Sequence, residues 1–293
     1  MKILVIGANG FVGHGVAEAA RAQQHEVVEG YRQSNDASID LLDPSSIVLA
    51  IRAHRPEAII NAAGIIPPGN VQQNPTLSAN LVRAIHESGH KPKQIIVSGS
   101  AAEYGIVEPT DLPVNEDMPT YPTNDYGKSK VQETAMALRL GVEYGLSVVV
   151  ARIFNPIGPN MQSRFLTARL LAQIDECRQG KRQNIEIGRR DACRDYLDVR
   201  DLGTAVVAIA AGDPRCTVYN VGSGRKTSNG ELADMFVQYS QISPVPSIIE
   251  TQDQPEPPVA SQADISRLQE DFGWTPRYSL EQTVKDIIDD ARQ

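Results

Sequence analysis

Tyr126 and Lys130 stand four residues apart in NDYGKSK (124–130), one turn of a helix and therefore one face. A free phenol titrates near pH 10, so trading a proton near neutrality requires the phenolate to be favoured by roughly 4 kcal/mol. A lysine one turn away contributes to that preference, as would a cationic ring bound beside it. Ser100 closes the apolar run QIIVSGS (94–100). A hydroxyl at the end of such a run can hydrogen-bond an oxygen that gathers negative charge during a reaction. Tyr-x-x-x-Lys alone is a weak signal. Behind a glycine-rich loop, and with Ser100 between, it becomes specific. Together the three residues make a proton donor, a cation that tunes it and a hydroxyl that orients a carbonyl.

The glycine-rich loop is GANGFVG, with Gly7, Gly10 and Gly13 directly after the apolar run KILVI and before a helical pattern. Glycines there let the chain turn tightly and let a pyrophosphate lie against helix N-terminal N–H groups. The spacing is G-x-x-G-x-x-G rather than G-x-G-x-x-G. Asn9, Phe11 and Val12 fill the loop. At the end of the second strand, an acid would hold an adenosine ribose and an arginine a 2′-phosphate. HEVVEGYR (25–32) places Arg32 there and Glu29 too early, which favours NADP, with NAD as the alternative. Asp40 and Leu41 could flank the adenine.

These residues need elements to hold them. KILVIG, HEVVEGYR, EAIINAAG, QIIVSGS and LSVVVARIF read as strands, separated by helical stretches that include NDYGKSKVQETAMALRLGVEYG. The alternation predicts α/β architecture, a doubly wound parallel Rossmann sheet with helices on both faces. Gly89, Gly141 and Gly145 lie near helix ends or breaks, as C-terminal punctuation would. After Phe154 the rhythm changes. NPIGPN reads as a loop, DYLDV as a short strand, and Ser228 as the N-cap of a helix. SPVPSIIETQDQPEPPVA reads as a proline-rich surface segment, and ISRLQEDFG and SLEQTVKDIIDDA as closing helices. The expected division is a nucleotide-binding domain of residues 1–154 plus about 195–222, and a smaller α/β substrate lobe of 155–194 and 223–293.

With 293 residues, 41% hydrophobic and 22% charged, the chain is long enough for a real core. A net charge of −8 argues against a dedicated nucleic-acid binder. MKILVIGANG is too short to span a membrane and lacks a signal-peptide cleavage region. Cys177, Cys193 and Cys216 are widely spaced and odd in number, so neither disulfides nor zinc are expected and a cytoplasmic setting is. The five histidines form no H-x-x-x-H pair, so no metal is expected.

Gly7/Gly10/Gly13, Ser100, Tyr126 and Lys130 together resemble the extended short-chain dehydrogenase/reductases, the nucleotide-sugar epimerase/dehydratase group. FNPIGP (154–159), CRDYLDVRD (193–201), YNVGSG (219–224) and GWTPRYSLEQ (273–282) extend the likeness almost end to end. The resemblance implies a Rossmann domain holding NAD(P), a lobe for a nucleotide sugar, and a homodimer built on the long catalytic helix. It implies that Ala62, Ala63, Gly64 and Asn80 join the cofactor site. Asn155 would contact the sugar nucleotide and Arg194 its diphosphate. Within the group the chain is most similar to reductases of GDP-4-keto-6-deoxymannose. Gln254 departs from the group, which often has an arginine there to grip the diphosphate.

Dehydratases of this group place an acid two residues after the serine. Here Ala101 and Ala102 follow Ser100, and neither can move a proton. Glu103 comes one residue later, where side-chain direction has changed. It could line the sugar pocket or pair with an arginine, and the second reading is favoured. The expected activity is NADPH-dependent reduction of the 4-keto group of a nucleotide-linked 6-deoxyhexulose. An NAD-dependent 4-epimerase and a non-catalytic NADP sensor stay open.

Overall fold

The computed structural model describes residues 1–159, 161, 165–251 and 260–292. Five parallel strands supply the frame: β1 (Lys2–Ile6), β2 (Glu26–Tyr31), β3 (Ala37–Ser38), β4 (Ala58–Asn61) and β5 (Gln94–Ser100). β6 (Val148–Ile153) continues it on one side. The short strands β7 (Asn155–Ile157), β8 (Asn184–Ile187), β9 (Cys193–Arg194) and β10 (Tyr196–Asp198) lie outside it, and β11 (Val218–Val221) completes it. The seven-stranded sheet runs β11-β6-β5-β4-β1-β2-β3. This is the Rossmann order, which reverses between β1 and β4, so ligands are expected at the carboxyl ends of those strands.

The helices between strands are α1 (Phe11–Ala22), α2 (Pro44–His54), α3 (Asn74–Ser88), α4 (Asp125–Tyr144), α5 (Leu166–Arg178) and α6 (Val199–Ala211). Strand alternation divides the core into two layers. Ile3 and Val5 of β1 face α1 and α6 in one apolar cluster, while Leu4 and Ile6 join α2 and α3 in the other. β5 divides likewise, with Ile96 on the first face and Ile95 and Val97 on the second.

A third cluster gathers Ile157, Leu170, Ile174, Ile185, Leu232, Phe236, Val284 and Ile287. It joins α5 and β8 to α7 (Asn229–Ser240) and, beyond α8 (Ser266–Phe272), to α9 (Leu280–Asp290). Ser228 lies in the two-residue strand β12 (Thr227–Ser228) and caps α7, its Oγ accepting from Glu231 N at 3.1 Å. Among the described residues no helix is long and apolar enough to cross a membrane.

Three local expectations are corrected. Asn155–Ile157 is not loop but strand, paired in parallel with β10. Within the proline-rich stretch, Ser247–Glu250 forms a thirteenth strand, β13, on β8. Gly141 is not end punctuation: it lies inside α4, where a Cβ would come within 2.7 Å of a Val148 methyl, so it lets the helix lie close to β6.

Candidate active site

The three residues of the expected triad lie on two adjoining elements, Ser100 at the end of β5 and Tyr126 and Lys130 on α4. Ser100 is the last residue of β5 and caps a 3-10 turn over Ala101–Glu103. Its Oγ accepts from Ala102 N at 3.2 Å, which leaves the hydroxyl hydrogen for another acceptor. α4 starts with Asn124 as its cap, Oδ1 accepting from Gly127 N at 2.8 Å. Its first turn presses against the Ser100 turn. A Cβ on Gly127 would lie 2.4 Å from the Ala102 carbonyl oxygen, so only glycine permits this approach. Tyr126, the preceding residue, is thereby brought to the Ser100 turn, half-buried.

Lys130 is 4% exposed. Its ammonium donates to the Ser98 carbonyl at 2.6 Å and to the Glu133 carboxylate. Burial alone would lower its proton affinity, but the Glu133 carboxylate and Tyr126 outweigh that and hold Lys130 above its ordinary value. Glu133, the ion-pair partner of Lys130, is a residue that the sequence motifs do not single out. An acid one turn after the lysine is the one signal that points to it.

Glu103 is wholly buried. Oε1 accepts from Ser100 N at 2.8 Å. Oε2 accepts from Arg152 Nε and Nη2 at 3.2 and 3.0 Å and from Thr134 Oγ1 at 3.1 Å. Arg152 also donates to Tyr104 Oη at 2.9 Å, and Tyr104 to Asn220 Oδ1 at 2.7 Å. The arginine pairing expected for Glu103 is therefore present. The carboxylate is a clamp that ties the Ser100 turn to β6 and α4, and it is not an acid aimed at a ligand. Replacing Glu103 with Ala should strand the Arg152 cation and lower the unfolding free energy by about 3–5 kcal/mol. Urea titration measures this, and a change below about 1 kcal/mol would contradict the clamp.

The glycine turn forms a cradle at the end of β1. Gly7 takes φ +81°, and a Cβ on it would lie 2.8 Å from Ala63 N, at the end of β4. A Cβ on Gly13 would lie 2.0 Å from the Gly7 carbonyl oxygen. Gly10 caps α1 with no side-chain hydrogen bond, and the first turn holds no acid. The start of α1, with Phe11 and Val12, thus keeps backbone N–H groups for an anion. Asn9 is exposed on the same turn. These features fit a dinucleotide pyrophosphate.

Arg32, one residue past β2, pairs with Asp40 at 3.1 Å. Asp40 Oδ1 also accepts from Leu42 N at 2.9 Å, and Asn80 Nδ2 donates to the Leu41 carbonyl at 2.9 Å. Ala62, Ala63 and Gly64 follow β4 directly. Asn155 is half-buried at the start of β7, with Nδ2 donating to the Asp195 carbonyl at 3.1 Å. Arg194 lies on β9 and donates to the Cys193 carbonyl at 2.9 Å. Gln254 and Asn160 lie outside the described residues.

A parallel sheet in Rossmann order with a glycine cradle after its first strand is the framework of a dinucleotide-binding protein. The chain belongs to the NAD dependent epimerase/dehydratase family, whose pattern it matches over residues 3–222. It is 30% identical to the GDP-6-deoxy-D-mannose reductase of Pseudomonas aeruginosa, over 99% of this chain and 96% of that protein. It is 28% identical to the dTDP-6-deoxy-L-talose 4-dehydrogenase (NAD(P)(+)) of Kitasatospora kifunensis, over 98% and 94% of the two chains. Among solved structures it superposes on RMD from Pseudomonas aeruginosa complexed with NADPH with a TM-score of 0.89, at 28% identity, covering 100% and 99% of the chains.

Proposed function

We propose that this enzyme uses NADPH to reduce the 4-keto group of a nucleotide-linked 6-deoxyhexulose. The observation that carries this reading is the state of the Ser100 turn. Two alanines follow the serine, and the first acid, Glu103, is buried against Arg152. Dehydration needs a carboxyl free to take and return protons beside the carbonyl, and this turn supplies none. Simple carbonyl reduction needs only the residues present. The similarity to GDP-6-deoxy-D-mannose reductase and dTDP-6-deoxy-L-talose 4-dehydrogenase supports the substrate class.

The residues divide the work as follows. Gly7, Gly10 and Gly13 and the α1 N-terminus would hold the pyrophosphate, and Arg32 the 2′-phosphate. The bound dihydronicotinamide supplies the hydride. Ser100 donates its hydroxyl hydrogen to the carbonyl oxygen and fixes its direction. Tyr126 gives its phenolic proton to the oxygen as charge develops there. Lys130 keeps a positive charge beside that phenol. Asn155 and Arg194 would hold the nucleotide sugar.

The deciding experiment follows NADPH absorbance at 340 nm with a panel of 4-keto-6-deoxyhexose nucleotides. Stoichiometric consumption is the expected result. Tightly copurified NAD with sugar inversion and no net consumption would replace the reading with an epimerase, and saturable NADPH binding without turnover of any nucleotide sugar would replace it with a sensor.

Cofactor preference gives a separate prediction. Arg32 is exposed and its only described ion pair is with Asp40, so it is available to a phosphate. Arg32→Glu should weaken NADPH binding by about tenfold or more, near 1.4 kcal/mol, while leaving NADH affinity within about twofold. Fluorescence titration with both cofactors measures it. An equal loss for both would remove Arg32 from the 2′-phosphate site.

A further inference from the structure

Lys130 and Glu133 belong to a closed and largely buried circuit of hydrogen bonds. Lys130 donates to the Ser98 carbonyl at 2.6 Å. Ser98 Oγ donates to the Asn61 carbonyl at 2.9 Å. Asn61 Nδ2 donates to Ser78 Oγ at 3.3 Å, and Ser78 donates to Glu133 Oε1 at 2.5 Å. Glu133 Oε2 returns to Lys130. Asn61, Ser78, Glu133 and Lys130 are 1%, 0%, 1% and 4% exposed. The circuit crosses β4, β5, α3 and α4. It also touches the cofactor cradle, because Asn61 Oδ1 accepts from Ala63 N at 3.2 Å.

We propose that Glu133 is the positioning residue of the active site, a buried counter-ion that fixes the Lys130 ammonium in place and keeps it charged. An ammonium has three donors. The described bonds occupy two, on Ser98 and Glu133, which leaves one for a ligand and sets its direction. A lysine buried this deeply without an acid would shed its proton to escape the desolvation cost. Glu133 is the carboxylate in contact with it. The other groups facing the ammonium are Tyr126 on the same helix, the Ser98 carbonyl from β5, and Glu103 from the turn after β5. Glu103 is already neutralised by Arg152. A buried ion pair is weak evidence for stability, since apolar residues can replace one without loss. Its place beside the tyrosine gives it another use.

The catalytic part of the test rests on the reductase reading, and the other two parts do not. Glu133→Gln keeps the shape and removes the charge. Lys130 should then give up its proton at lower pH, so the alkaline limb of kcat moves down by about one pH unit or more, with kcat/KM lower by about tenfold. NADPH affinity, followed by fluorescence without any substrate, should fall with rising pH earlier than in the unaltered protein. Glu133→Asp keeps the charge and should return the pH profile most of the way. In the unaltered protein, 13Cε NMR of labelled lysine should show Lys130 staying charged through the pH range in which free lysines titrate. Should Glu133→Gln prove insoluble, that spectrum decides alone: titration of Lys130 below pH 8 overturns the proposal. An unshifted pH profile and NADPH affinity in soluble Glu133→Gln, with only the melting temperature lowered, also overturns it and leaves a structural ion pair. Absent turnover in the unaltered protein would overturn the reductase reading while the binding and NMR results still judge Glu133.

Discussion

Replacing Tyr126 with Phe should lower turnover by about a thousandfold or more, the scale of a lost general acid, and leave NADPH binding within about threefold. The asymmetry follows from the geometry. The backbone of Tyr126 sits in the first turn of α4, whose cap is Asn124 and whose close approach to the Ala102 carbonyl depends on Gly127. None of these contacts involves the phenolic oxygen, so removing it leaves the helix start in place. Lys130 keeps both of its described partners, Ser98 and Glu133. The measurement is a steady-state assay beside a fluorescence titration. Turnover within tenfold of the unaltered enzyme would remove Tyr126 as proton donor, whatever the substrate.

The second large effect lies in the cradle. Gly13→Ala puts a methyl 2.0 Å from the Gly7 carbonyl oxygen and 2.6 Å from its carbon. Neither atom belongs to a flexible side chain, so the loop itself must move. Gly7 already occupies a left-handed conformation and abuts the backbone of Ala63. Its N–H donates to the Gly30 carbonyl at 2.7 Å, so the strain passes into β2. The expected result is loss of saturable NADPH binding up to millimolar concentration, with a stability loss of about 4 kcal/mol or more, a scale reached only by severe core or backbone conflicts. Equilibrium dialysis and urea unfolding measure the two parts. A soluble Gly13→Ala protein with unaltered NADPH affinity would refute the cradle.

Much of this architecture is legible in the sequence because its signals are local. The sheet strands are short, apolar and bounded by glycine or polar turns, and buried parallel strands have that appearance. The triad is legible for a similar reason. Ser100 marks a strand end, and Tyr126 and Lys130 share a helix face through a fixed spacing. What escapes is held by contacts distant in sequence. Ser78 and Glu133 are 55 residues apart, and nothing local in TLSAN or VQET announces that they meet. β13 is hidden because Pro244 and Pro246 precede SIIE and prolines usually mark irregular backbone. β7 carries Pro156 within it, and a three-residue edge pairing leaves almost no periodicity to read. An arginine partner for Glu103 is foreseeable as a type of residue. Arg152 itself is not, because it sits in the middle of an apolar strand.

The clamp at Glu103 has an evolutionary consequence. A carboxylate sits beside Ser100, yet it is committed to holding β5, β6 and α4 together. Selection for a new acid–base step cannot recruit it without dismantling the scaffold. Position 102 carries no such duty, since its described contacts run through its backbone N–H and carbonyl oxygen. A change of side chain there leaves those contacts intact. The turn therefore separates the residue that must not vary from the residue that can, and a lineage exploring other chemistry on this framework has its freest step one position before the clamp.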